Sequence, residues 1–458
     1  MKNLTLKNIA EACRGTYMGS ANLQDQEVQG IVTDSRKAEK GVLFVPIKGA
    51  RVDAHDFIDQ VMEQGALCTL SEYDLGKKDF PWIKVESSLQ AVKDIAEFYL
   101  KQLDIPVVGI TGSVGKTSTK EVIASVLEQK YKVLKTQGNF NNELGLPLTV
   151  FGLRPEHDIA VLEMGISNFG EMHRLAKIAR PDTCVITNIG VCHLEFLKSR
   201  DGVLKAKTEI FDFLKGNGHV ILNGDDDKLI TVKSAKGIAP VFFGIDHKEG
   251  IWADEIESLG LKGISCRIHV GEESFQAVIP IPGRHMVYNA LAGTAVGLTY
   301  GLSLEEIRKG LASLKFMSGR FNIMDAGSLT IVDDCYNANP VSMKGSINVL
   351  QDALGRKVAI LGDMGELGAE EEEMHREVGT YAAFANIDKL ICVGTLCEKM
   401  ADAAKVAAPS KDIIHFPDRE SLLEALPQLI RKDDTVLVKA SHFMQFEKVV
   451  EALKKLAE

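Results

Sequence analysis

The sequence predicts an α/β protein of three domains, and three observations carry that expectation. The chain has 458 residues, enough for about three units at roughly 150 residues each. Short apolar runs bounded by turn residues alternate with stretches of helical periodicity, the pattern of a parallel sheet covered on both faces. That alternation changes character twice, which divides the chain into 1–82, 83–317 and 318–458. With 45% hydrophobic and 25% charged residues, each unit can bury a core and disorder is not expected.

The first unit mixes strand-like pieces at 30–33 and 41–46 with an amphipathic stretch over 57–64. The second opens with a helix over 88–103, where Leu89, Val92, Ile95, Ala96 and Tyr99 recur at helical spacing. Strands follow at 106–111, 159–163, 183–187 and 219–223. A helix over 116–129 should bury Val122, Ile123, Val126 and Leu127. The third unit repeats the alternation, with strands at 329–333, 357–361, 389–393 and 435–439. Helices at 341–352, 371–384, 421–430 and 445–457 connect them.

The bulk properties remove several classes of function. A net charge of -10 does not suit a nucleic-acid grip, which needs a basic face. No apolar run reaches the 18 residues of a membrane span. Charges at Lys2 and Lys7 stand where a signal peptide needs apolar residues. The eight cysteines form no CxxC pair or zinc spacing, as expected of reduced thiols. The expectation is a cytoplasmic monomer.

Chemistry first shows at Gly109-Ile110-Thr111-Gly112-Ser113-Val114-Gly115-Lys116-Thr117-Ser118, which follows a strand and opens a helix. The glycines let successive N–H groups turn toward a phosphate, and the helix N-terminus adds partial positive charge. Lys116 can reach the outer phosphates and the Thr117 hydroxyl can ligate Mg²⁺. Ile110 stands where the usual phosphate-loop pattern has its first glycine, so this loop is tighter. Glu163 ends an apolar strand and so points toward the crevice where such sheets bind ligands, a second oxygen donor for Mg²⁺. His193 follows another strand end on the same rim, as a ligand or as a packed or capping residue. Lys207, read from spacing alone, is a basic residue on a helix surface.

Taken in order, the tight loop, Glu163, the segment Asn188-Ile189-Gly190…His193 and the pair Ala206-Lys207 resemble the Mur ligase family, along essentially the whole chain. The resemblance implies an ATP-dependent amide-forming enzyme of peptidoglycan precursor synthesis. Its expected architecture is a small N-terminal uridine-binding domain, a central ATP-binding parallel-sheet domain and a C-terminal Rossmann-like domain. It implies an adenine-side role for Asn289, a phosphate contact from Arg320 in Ser318-Gly319-Arg320, and a ribose contact from Asp334. It also places His193 and Lys207 at a second Mg²⁺, with Lys207 matching a lysine that family members carry as a carbamate.

Three strings, 336–343 together with 361–368 and then 138–147, are similar to family members that add D-alanyl-D-alanine to UDP-N-acetylmuramoyl-tripeptide. For such a member the resemblance assigns Ser35, Arg36, Asn139 and Asn142 to the UDP-sugar, and Tyr336, Asn337 and Asn339 to the dipeptide side. The residues alone read Asn142, Asn337 and Asn339 as turn formers. Cys335 stands where the family usually has Ser, and Ala440-Ser441-His442 where Gly-Ser-Arg is common. The alternatives are a family member with another acceptor, such as the diamino-acid-adding enzyme, a folylpolyglutamate synthase, or a nucleotide-binding scaffold without catalysis.

Overall fold

The computed structural model describes residues 1–49, 51–315 and 319–458. Ser318 and the expected boundary at 317–318 lie outside the described residues. Among the described residues the chain builds three sheets. The first has five short strands in the order Thr16–Met18, Trp82–Lys84, Cys68–Ser71, Leu43–Phe44, Ile31–Val32. All neighbours are parallel except the first pair. Because Trp82–Lys84 pairs with residues 69–71, this sheet runs past the expected boundary at 82.

The helix Ser88–Leu103 follows. The Ser87 side chain caps it by accepting from the Gln90 N–H, and Asp104 ends it in a left-handed conformation. Its buried stripe is Ala91, Val92, Ile95, Ala96, Tyr99 and Leu100. Leu89, expected in that stripe, is instead 38% exposed and faces the main cleft.

The central sheet has nine strands. From one edge these are Val133–Lys135, Ile159–Glu163, Val107–Thr111, Thr183–Ile186, His219–Asn223 and Val241–Gly244. An arm of Ile251–Ser258, Ile264–Val270 and Glu273–Ile279 continues it, antiparallel between its own strands. The arm was not legible in the sequence. Val107–Thr111 sits where the strand order reverses, with Ile159–Glu163 on one side and Thr183–Ile186 on the other. Ligands of open α/β sheets collect outside the carboxyl ends of the strands at such a switch point. Behind the loop, Lys116–Leu127 buries Val122, Ile123, Val126 and Leu127 against the helices His285–Thr299 and Leu304–Ala312.

The third sheet runs Asn322–Asp325, Thr330–Asp333, Asp434–Lys439, Arg356–Gly362, Lys389–Val393, Asp412–Phe416. Only the first pair is antiparallel. The helix Cys397–Ala407 and the strand Asp412–Phe416 were not anticipated. One apolar core joins the central and third units, through residues such as Met286, Leu314, Met343 and Val349. All eight cysteines are free thiols, and only Cys192 is not fully buried. Among the described residues, no helix is long and apolar enough to cross a membrane.

Candidate active site

A cleft of about 1450 Å³ opens at the switch point. One wall is the loop Ser113–Ser118 with Glu163 and His193, and the facing wall is Arg320, Asp334, Tyr336, Asn337 and Asn339 from the third unit. The remaining side, toward the first unit, carries Ile47, Leu89, Asn142 and Leu144.

The loop is held from several directions. Gly112 has φ +152, and a Cβ there would lie 1.9 Å from Thr187 Oγ1, so the position admits no side chain. Asn188 reads Val114 twice: its Oδ1 accepts from the Val114 N–H at 2.9 Å, and its Nδ2 donates to the Val114 carbonyl at 2.9 Å. Thr187 Oγ1 donates to that same carbonyl at 2.7 Å. Below, Asn289 Oδ1 accepts from Thr119 Oγ1 at 2.9 Å, so this buried side chain buttresses the helix that the loop opens. Gly112→Ala is therefore expected to abolish nucleotide binding in a chain that still folds, which titration with a fluorescent ATP analogue beside circular dichroism would check.

Lys116 Nζ donates to the carbonyls of Gly112 and Ser113, at 2.8 and 3.4 Å. Burial lowers its pKa, only partly offset by the charge of Glu163. Glu163 is 1% exposed and fully engaged. Its Oε2 accepts from Thr117 Oγ1 and its Oε1 from Asn141 Nδ2, both at 2.8 Å, while its N–H donates to Thr136 Oγ1 at 3.0 Å. Hydroxyl and carboxylate oxygens side by side are the donor set a hard divalent cation takes.

His193, at φ +51, begins the short helix Leu194–Leu197. Its Nδ1 lies 3.2 Å from Glu366 Oε2 of the third unit, so the contact crosses between domains. Lys207 lies in the helix Arg200–Thr208 but is 1% exposed, which corrects the helix-surface reading from spacing. Burial, and then the charge of Lys116, bring its pKa down from 10.5 to about 7.

Other expected contacts are spent inside the protein. Asn142 Oδ1 accepts from the N–H groups of Leu144 and Gly145, at 3.2 and 2.8 Å. Asn139 is exposed and does not line the cleft. Asn337 Oδ1 accepts from the Ala338 N–H, and Asn339 forms a capping box with Ser342 ahead of Pro340. Asn339→Ala is thus expected to cost about 1 kcal/mol of stability, with Asn339→Ser largely restoring it, as thermal melts would show. Arg36 forks onto Asp34 through Nε and Nη2, at 2.9 and 2.8 Å, and neither it nor Ser35 lines the cleft. Asn141, Thr136 and Asn188 were missed as site residues. Asn141 and Asn188 stood in strings already singled out, but nothing in the sequence separates Asn141 from Asn142.

A phosphate loop at a switch point, its threonine bonded to a buried carboxylate and a third domain facing it across the cleft, defines a nucleotide-binding α/β protein that works between domains. The chain belongs to the Mur ligase family. It matches that family's catalytic domain over residues 27–107, its middle domain over 110–297 and its glutamate ligase domain over 319–442. It is 38% identical to the UDP-N-acetylmuramoyl-tripeptide–D-alanyl-D-alanine ligase of Bacillus subtilis (strain 168), covering 98% of both chains. Its structure is similar to that of MurF from Acinetobacter baumannii, at 33% identity and TM-score 0.88 over 98% of both chains. The MurF ligase of Thermotoga maritima in complex with ADP gives 32% identity and TM-score 0.82, over 94% of this chain and 98% of that one.

Proposed function

We propose that the chain joins D-alanyl-D-alanine to UDP-N-acetylmuramoyl-tripeptide at the expense of ATP, releasing ADP and phosphate. The observation that carries this reading is the Lys116–Thr117–Glu163 cluster, which opens onto a cleft bordered by all three domains. Full-length likeness to ligases of that name supports the choice of acceptor.

A peptide carboxylate does not acylate an amine at neutral pH, so it must first be activated. A terminal carboxylate oxygen attacks the γ-phosphorus, the bond to the β-phosphate oxygen breaks, and ADP leaves an acyl phosphate. The dipeptide amine then attacks the acyl carbon, and phosphate departs with the carboxylate's oxygen. Such a transfer needs alignment and charge neutralisation more than covalent help from the protein. The loop N–H groups and Lys116 hold the triphosphate, and Arg320 meets it from the third domain. Asn289 and Asp334 shape the nucleoside side. Ser35 and Arg36, which lie outside the cleft, serve the uridine diphosphate end of the UDP-sugar, Asn139 and Asn142 its sugar side, and Asn337 and Asn339 border the dipeptide side.

Thr117 and Glu163 would hold one Mg²⁺, and His193 with Lys207 a second. Mg²⁺, when bound, neutralises the phosphate oxygens on which charge develops. Lys207 fits this arrangement only as a carbamate, since an ammonium would repel the cation. A pKa near 7 leaves much of its amine neutral and able to react with CO₂, and the resulting anion supplies oxygen ligands. The reading is tested by phosphate release from ATP with each substrate omitted in turn. Release that needs both acceptor and donor, with the pentapeptide product seen by mass, supports it. No release by folded, ATP-binding protein would leave a nucleotide-binding scaffold.

A further inference from the structure

We propose that Asp333 and Tyr336 are positioning residues for Arg320, an inference that rests on the reading that Arg320 meets the triphosphate. The chain enters the third domain through Gly319, Arg320 and Phe321, and its backbone there is unusual. Gly319 has φ +73 and Phe321 φ +52, so left-handed residues flank the arginine on both sides. A bulky residue such as Phe321 holds that conformation only where its surroundings fix it.

Two buried carboxylates supply that fixing. The Gly319 N–H donates to Asp333 Oδ2 at 2.8 Å, and the Phe321 N–H donates to Asp334 Oδ1 at 3.2 Å. The Gly319 carbonyl accepts from the Tyr336 N–H at 3.0 Å. Asp333 and Asp334 are 4% and 7% exposed. Their other oxygens are also engaged: Asp333 Oδ1 accepts from the Cys335 thiol at 3.0 Å, and Asp334 Oδ2 from Lys439 and Ser346 at 2.6 and 2.7 Å.

The side chain is held as well as the backbone. The Arg320 guanidinium lies over the Tyr336 ring, 4.1 Å from its centroid, a cation–π contact. The clamp also leaves little room at Gly319, where a Cβ would come within 3.3 Å of Tyr336 Cβ. Asp333 carries no role in the reading above, and Tyr336 was assigned to the dipeptide. The geometry instead gives both one task, which is to aim Arg320 across the cleft.

The test is steady-state kinetics with each substrate varied separately, on Asp333→Ala, Asp333→Asn, Tyr336→Leu and Tyr336→Phe, with and without Arg320→Ala. Asp333→Ala and Tyr336→Leu are expected to lower kcat/KM for ATP about fivefold or more, with the KM for D-alanyl-D-alanine within about twofold. Asp333→Asn keeps an oxygen for the Gly319 N–H and Tyr336→Phe keeps the ring face, so both should recover most of the loss. In the Arg320→Ala background, neither Asp333→Ala nor Tyr336→Leu should cost more than about twofold further. A rise in dipeptide KM alone for Tyr336→Leu, or undiminished losses without Arg320, overturns the proposal. Arg320→Ala with unchanged ATP kinetics would instead remove the premise, and so fails distinguishably.

Discussion

Lys207→Met is expected to raise the stability of the protein at pH 7 while removing ligase turnover. The lysine is 1% exposed, and burial followed by the charge of Lys116 brings its pKa to about 7. In the unfolded chain the same group titrates near 10.5. Above that pH neither state holds the proton and burial of the amine carries no protonation cost. Between 10.5 and 7 the unfolded chain takes up a proton that the folded chain refuses, so wild-type stability falls as pH falls. Below 7 both states take it up and the loss levels off, at about 4 kcal/mol by pH 7. Methionine has nearly the shape of lysine without the charge, so the variant escapes that loss. Urea unfolding in CO₂-free buffer should therefore show its advantage at pH 7, shrinking toward pH 10. Added bicarbonate should stabilise the wild type and leave the variant unchanged. A variant less stable than wild type at pH 7 would contradict the burial argument.

Glu163→Gln is expected to lower kcat by about 10²-fold or more while leaving the fold intact. The carboxylate accepts from the Thr117 hydroxyl and the Asn141 amide, and its own N–H is held by Thr136. Glutamine keeps the shape of the side chain but removes the anionic charge beside the phosphate loop. Binding of Mn²⁺ in the presence of an ATP analogue, followed by electron paramagnetic resonance, should weaken in parallel. Unchanged metal affinity with unchanged turnover would take Glu163 out of the site.

Much of this was legible in the sequence because it rests on local rules. The strands Ile159–Glu163, His219–Asn223 and Lys389–Val393 and the helices Ser88–Leu103 and Glu371–Phe384 fall at their expected bounds, since each is an apolar pattern between turn residues. The antiparallel arm escaped because its strands alternate exposed and buried residues at a sheet edge, a weak signal beside the buried runs. Lys207 shows the limit of spacing most plainly. A helix surface is the ordinary place for a lysine, and only the tertiary structure buries this one. The asparagines show a different limit. Asn141 and Asn142 are neighbours of one type, yet one donates to Glu163 and the other holds a turn. Local sequence does not say which way a loop side chain points.

The chemistry assigned to the cleft is tested most directly by following one atom. A tripeptide substrate carrying ¹⁸O in its terminal carboxylate should give phosphate with one ¹⁸O, provided that D-alanyl-D-alanine is present and the pentapeptide forms. That transfer occurs only if a carboxylate oxygen has been bonded to the γ-phosphorus. Pentapeptide formed with unlabelled phosphate would contradict the acyl-phosphate route, and label-free phosphate without any pentapeptide would contradict the ligase reading itself.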